Sequence, residues 1–172
     1  TVYTRESWLG WSLERRARAV PGAVEFARYA EQHGVTVYFV TNRMHEGEIE
    51  STADNLRALG FPVAEDRSNL LLSGDPRAPA HEKRQRRQWI GARHRVLLML
   101  GDNLGDFIDG HDGSRAGRNQ AAAAYVGWWG ERWIMLPNPS YGHWVSALMQ
   151  DCDAGMRERD PRACLHAALR MD

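Results

Sequence analysis

The chain has 172 residues, 43% of them hydrophobic and 26% charged, which suits one domain with its own core. Lys plus Arg equal Asp plus Glu at 22 each, so no global field draws in nucleic acid or a membrane surface. No apolar run approaches the roughly 20 residues of a membrane-spanning helix.

Trp8 and Trp11 are spaced to share one face of a helix near the start of the chain. Such a pair serves packing by default and ligand contact otherwise. Glu14 to Ala19 favours helix, and Pro21-Gly22 breaks it. Apolar residues at 23, 24, 26, 27 and 30 then predict a helix over 23–33, closed by Gly34. Val35 to Val40, V-T-V-Y-F-V, predicts a buried strand with Thr41-Asn42-Arg43 directly after it. A hydroxyl, an amide and a guanidinium in that place can bind an oxyanion, or can simply cap the strand and face water. Glu46 to Leu59, apolar at 49, 53, 56 and 59, predicts a second helix stopped by Gly60. Asn69 to Leu72 reads as a short strand and residues 73–80, S-G-D-P-R-A-P-A, as a loop.

His81 to Arg95 predicts a basic helix. Its cations, Lys83, Arg84, Arg86, Arg87, Arg93 and Arg95, read as a solvated face, since the balanced overall charge argues against a nucleic-acid patch. Lys83 differs from the rest: it opens the helix just after a strand and loop, where an ammonium reaches a crevice at the sheet's edge.

Val96 to Phe107 reads V-L-L-M-L-G-D-N-L-G-D-F. The apolar run stopped by Gly101 predicts a strand buried on both faces, with Asp102 just past its C-terminal end. Open α/β sheets place their chemistry at such ends. Asp102 there either holds a hard cation or caps the next helix, and Asp106 is correspondingly a site residue or a solvated loop residue. Asp109, His111 and Asp112 fall in a glycine-rich stretch read as a loop in preference to a second metal site. Gln120 to Trp129 predicts a short helix, and Arg132 to Leu136 the last strand, stopped by Pro137-Asn138-Pro139. Tyr141, His143 and Trp144 cluster beyond it. Helices are expected from Val145 to Met149 and from Ala163 to Arg170. Cys152 and Cys164 are either one disulfide in an oxidising compartment or two reduced thiols.

Strands at 35–40, 69–72, 96–100 and 132–136 alternate with helices. This predicts an α/β fold: a Rossmann-like, doubly wound, mostly parallel sheet with helices on both faces. Three strands lead to T-N-R, to the loop before Lys83, and to G-D-N-L-G-D. In that order these resemble motifs II, III and IV of the haloacid dehalogenase superfamily. W-x-x-W at 8–11, A-V-P-G-A at 19–23, V-Y-F-V-T-N-R at 37–43, G-D-N-L-G-D-F at 101–107 and I-M-L-P-N at 134–138 narrow the likeness. Together they resemble the class C acid phosphatases, bacterial enzymes of the outer-membrane lipoprotein e type, from Tyr3 to Ala147.

The resemblance implies a magnesium-dependent phosphomonoesterase acting on small phosphomonoesters, nucleoside monophosphates included, through an aspartyl-phosphate. Position by position, it implies that Thr41, with Asn42 and Arg43, binds the phosphoryl group. Lys83 neutralises charge on nucleophile and phosphate. Asp102 ligates Mg²⁺, supported by Asp106 from behind. Trp8 and Tyr141 resemble the aromatic residues that hold a base or ring. Residues 1–172 are expected to form a single domain of this kind, with residues 1–20 a helical, aromatic segment of the substrate-side cap.

The family's first motif, D-x-D-E-T at the end of a first strand, does not occur. The first aspartate is Asp54, and the D-x-D at 151–153 follows a helix-like segment and lacks the threonine. The resemblance places that motif, and the first strand, upstream of Thr1. Residues 1–172 are therefore expected to be N-terminally incomplete and inactive by themselves. The family is exported to the periplasm or outer membrane, which implies a signal segment and a lipid anchor outside this chain, a Cys152–Cys164 disulfide and a homodimer. The competing expectation is a non-catalytic binding or scaffold protein of the same fold that lacks the first motif. A third, a phosphatase on nucleic-acid ends, is suggested only by the arginine-rich helix, and no nucleic-acid partner is expected.

Overall fold

The computed structural model describes residues 4–109 and 113–169. They fall into two compact units, divided between residues 92 and 93, each taken by itself below. His111 and Asp112 lie outside the described residues.

In the first unit, α1 (Arg5–Leu13) is followed by α2 (Ala23–Gln32), β1 (Phe39–Met44), α3 (His45–Leu59), β2 (Leu70–Ser73) and α4 (Arg84–Gly91). Gly34 closes α2 as expected. At φ +75° its N–H donates to Glu31 O at 3.0 Å and that of Val35 to Ala30 O at 2.9 Å, satisfying two terminal carbonyls.

The first strand starts later than its composition suggests, at Phe39 and not at Val35. The Val37 carbonyl is taken at 2.8 Å by the side chain of buried Asn69, which also holds Pro62 O and Ala64 N. A side chain thus occupies the place where a ladder partner would bond. β1 and β2 run parallel, Phe39 opposite Leu70 and Val40 opposite Leu71, and the register then slips so that Met44 faces Ser73. Thr41, Asn42 and Arg43 therefore lie inside the strand, at its bulge, and not after it. A bulge leaves backbone groups unpaired and re-aims side chains.

The α3 stripe is legible: Ala53 packs with Leu70 and Leu72, flanked by Ile49, Leu56, Phe39 and Val63. The opposite buried positions are polar. Asn55 accepts from Ala17 N at 2.9 Å and donates to Ala17 O at 3.0 Å, pinning the segment between α1 and α2. Glu48 accepts from Met44 N at 2.8 Å, beside non-helical Glu46 and Gly47.

In the second unit, β3 (Met99–Gly101) and β4 (Trp133–Met135) pair in parallel, Leu100 opposite Ile134. The helices are α5 (Arg115–Ala123), α6 (His143–Gln150), α7 (Ala154–Arg159) and α8 (Pro161–Leu169). The expected helix over 120–129 thus sits earlier, begun by Ser114, whose side chain accepts from Gly117 N. Its expected second half turns into an aromatic cluster. Phe107 and Trp133 pack with Leu104, Ile108 and Trp129, and the Trp129 indole N–H donates to Ala122 O at 2.9 Å. Cys152 and Cys164 are disulfide-bonded, closing a loop of sequence separation 12 beside the α6–α8 contact.

The Val96–Leu100 run is not a strand buried on both faces. Val96, Leu97 and Leu100 are 47%, 49% and 47% exposed. Among the described residues β3 pairs along one edge only, with β4, and the unit's buried cluster gathers on the 104–108 turn and Trp133 instead.

Candidate functional site

In the first unit, the candidate residues Thr41, Asn42 and Arg43 lie around the bulge of β1. Thr41 Oγ1 accepts from Arg43 N at 3.3 Å, a turn-like contact that leaves the hydroxyl proton for an anion. The residue holding this stretch is Arg86, from the face that composition marks as solvated. That expectation fails: Arg86 is fully buried. Its guanidinium donates to Thr41 O at 2.5 Å, to Asn42 Oδ1 at 2.8 Å and to His81 O at 2.5 Å. It lies three positions after Lys83, hence on the same face of the helix turn. That spacing is the signal by which the sequence could have singled it out. α4 itself spans only Arg84–Gly91 of the expected 81–95, and Lys83 is its N-terminal cap residue, half-buried.

Arg43 turns away from the bulge. Its guanidinium lies over the rings of Trp8 and Trp11, at 5.9 and 5.2 Å, and donates to Thr52 Oγ1 at 3.2 Å. The two indoles are 5.1 Å apart. Arg43 thus links the strand to the aromatic face of α1 through cation–π contact.

The loop after β2 holds a second buried charge. Asp75 is fully buried and takes a forked pair of bonds from Arg77, at 2.9 and 2.7 Å, plus Arg77 N at 2.9 Å. Burial pushes its carboxyl up, but the Arg77 hydrogen bonds and charge outweigh this and hold it below the usual carboxylate range. Arg77 also donates to Leu70 O and stacks on Trp89 of α4, so this loop fixes where α4 begins. His45 Nδ1 lies 3.8 Å from Asp75.

In the second unit, the candidate carboxylates Asp102 and Asp106 lie before and in the turn after β3. Asp106 Oδ2 accepts from Asp102 N and Asn103 N, both at 3.0 Å. The carboxylate folds back over Gly101, where a Cβ would lie 2.5 Å from it, so only glycine admits this approach. Leu104 and Phe107, buried in the aromatic cluster, anchor the same turn. Asp102 is thereby held at the strand's end, half-buried, with Oδ2 accepting from Asn138 Nδ2 at 2.9 Å. Asn138 had gone unremarked in the sequence except as a strand stop. Tyr141, 63% exposed, follows closely, its N–H donating to Asn138 Oδ1 at 3.2 Å.

Thr41, Asn42, Arg43, Lys83 and Trp8 therefore belong to one unit, and Asp102, Asp106 and Tyr141 to the other. Among the described residues no three His, Cys, Asp or Glu side chains converge as a metal cage. Mg²⁺ is ordinarily held by one or two carboxylates, with water and substrate oxygens completing the shell. Asp102, with one oxygen steadied by a neutral amide, fits one such ligand.

The chain matches the family model of the HAD superfamily, subfamily IIIB (Acid phosphatase), over residues 1–144. It is similar to the Class C acid phosphatase from Bacillus anthracis, at 31% identity and a TM-score of 0.78, over 96% of this chain and 67% of that one. The structure of the Bacillus anthracis protein with tungstate bound gives 30% identity and a TM-score of 0.77, over 97% of this chain and 66% of that one. The chain thus spans about two thirds of the length of these structures. By the extent of the family match, supported by these structural relatives, this chain belongs to subfamily IIIB, the acid phosphatases, of the haloacid dehalogenase superfamily.

Proposed function

We propose that this chain supplies most of a magnesium-dependent acid phosphatase hydrolysing small phosphomonoesters, nucleoside monophosphates among them, through an aspartyl-phosphate. The observation that carries the reading is the family match together with a hydroxyl at the β1 bulge and a carboxylate directly after β3. The nucleophile is the aspartate of the family's first motif, a motif that none of the carboxylates in residues 1–172 occupies.

Phosphoryl transfer asks the protein mainly for positioning and charge neutralisation. Thr41 donates its hydroxyl proton to a phosphoryl oxygen, while Arg86 fixes the Thr41 carbonyl and the Asn42 amide. Lys83, at the start of α4, supplies a compact cation toward the phosphoryl charge. Asp102 would hold Mg²⁺, which when bound neutralises charge on the phosphoryl oxygens. Asp106 keeps the backbone of Asp102 and Asn103 in place by accepting a hydrogen bond from the N–H of each. A relative, the Bacillus anthracis protein, has been solved with tungstate, an oxyanion like phosphate, bound. Trp8 and exposed Tyr141 offer ring faces to an aromatic leaving group. The disulfide supports an oxidising compartment such as the bacterial envelope.

The test is hydrolysis of p-nitrophenyl phosphate and nucleoside monophosphates by the full-length protein. Asp102→Asn is expected to lower kcat/KM by about 100-fold or more. Wild-type activity in that variant refutes the assignment of Asp102. Nucleotide binding without turnover in the wild type points to the non-catalytic alternative.

A further inference from the structure

Asn138 lies in the I-M-L-P-N stretch just after β4, half-buried, and its amide works in two directions. Nδ2 donates to Asp102 Oδ2 at 2.9 Å. Oδ1 accepts from Ser140 N at 3.1 Å and from Tyr141 N at 3.2 Å. The network fixes the amide's orientation. A flipped amide would set its NH₂ against two backbone N–H groups and its oxygen against a carboxylate. Pro137 and Pro139 flank it with fixed φ, and Pro139 has no N–H to offer, so the donors that reach Oδ1 are those of the next two residues.

No other side chain of this length does both tasks. Aspartate keeps the acceptor and loses the donor, and leucine loses both. The neutral donor also matters, because a lysine or arginine in its place would neutralise the charge that a cation needs. The two loops meet at a second point. A Cβ on Gly142 would lie 2.6 Å from Asn103 Nδ2, and the Trp144 indole N–H donates to Tyr141 O at 3.0 Å.

We infer that Asn138 is a positioning residue that couples the metal-binding carboxylate to the substrate's ring: one amide orients Asp102 and holds the backbone that carries Tyr141. The inference rests on the phosphatase reading above and assigns Asn138 a role within that site. It predicts that losing the side chain weakens two separate functions together, and that aspartate restores only one of them.

The experiment uses full-length protein with Asn138→Ala and Asn138→Asp. Mg²⁺ binding is read without substrate, from the ion-induced shift in thermal unfolding. Ring recognition is read as the ratio of KM for p-nitrophenyl phosphate to KM for glycerol phosphate. Asn138→Ala is expected to raise the Mg²⁺ midpoint about 10-fold or more, as outer partners of metal ligands do. It also raises KM for the ring substrate several-fold more than for the ringless one. Asn138→Asp is expected to return the KM ratio to the wild-type value, since the acceptor is retained.

An Asn138→Ala protein that loses only thermal stability, with the Mg²⁺ midpoint and KM ratio unchanged, overturns the inference while the phosphatase reading stands. So does an Asn138→Asp protein whose KM ratio stays as high as that of Asn138→Ala. A wild type that neither binds Mg²⁺ nor turns over either substrate overturns both.

Discussion

Replacing Arg86 by methionine keeps most of the side chain's volume and removes its hydrogen bonds. The three acceptors left behind are the carbonyls of Thr41 and His81 and the side-chain oxygen of Asn42. An acceptor stripped of its partner costs about 1–3 kcal/mol where water cannot replace it, but Thr41 is only half-buried and Asn42 and His81 are exposed. A simple sum overstates the effect, because a β1 bulge at the edge of a two-stranded sheet can admit water. A net loss of about 1–3 kcal/mol, that of one unsatisfied acceptor, is the working figure. For a protein of this size each kcal/mol moves Tm by roughly 2–4 °C, so the expected drop is roughly 2–12 °C. Arg86→Lys keeps the charge but not the fork, and is expected to fall between the two. The assay is thermal unfolding of full-length protein, with kcat/KM measured well below the variant's Tm. There the loss of activity should exceed that of a surface control such as Arg84→Met, because Thr41 loses its anchor. An Arg86→Met protein with wild-type Tm and wild-type kcat/KM would show that this buried guanidinium does not hold the Thr41–Asn42 stretch of β1.

Two other perturbations test one unit each. Gly101→Ala places a methyl 2.5 Å from the Asp106 side chain, so that carboxylate must leave Asp102 N and Asn103 N. The expected cost is about 1–3 kcal/mol in thermal unfolding, with a higher Mg²⁺ midpoint. Asp75→Asn tests the buried pair with Arg77. The folded-state value of Asp75 lies below its unfolded value of about 3.9. Its contribution to stability is therefore fully present above that pH and lost as pH falls through the folded value. The variant should be less stable than wild type at neutral pH, with the gap narrowing through acid unfolding below about pH 4. A gap independent of pH would show that the pair carries no proton linkage.

The elements legible in the sequence were those set by local chemistry. Gly34 and Gly60 end their helices because left-handed backbone is needed there. The apolar stripe of α3 faces β2 because period and packing agree. What the sequence hid depends on partners distant along the chain. Asn69 delays β1 by claiming the Val37 carbonyl across 32 residues, and no local pattern announces this. Arg86 looked like one more cation on a basic helix, and only its reach across 45 residues to Thr41 reveals a buried clamp. The Val96–Leu100 run misled for a related reason. Apolar composition says that a segment can be buried, while burial itself depends on what covers it. At the candidate site the residue types were legible from motif order, but Arg43 stacked on Trp8 and Trp11, and Asn138 braced on Asp102, required coordinates.

The most direct test of the functional reading is metal withdrawal from the full-length protein. Hydrolysis of p-nitrophenyl phosphate at acidic pH is followed in Mg²⁺, then in excess chelator, then with Mg²⁺ restored. The account predicts activity, its loss, and its return. Undiminished hydrolysis in excess chelator would contradict it.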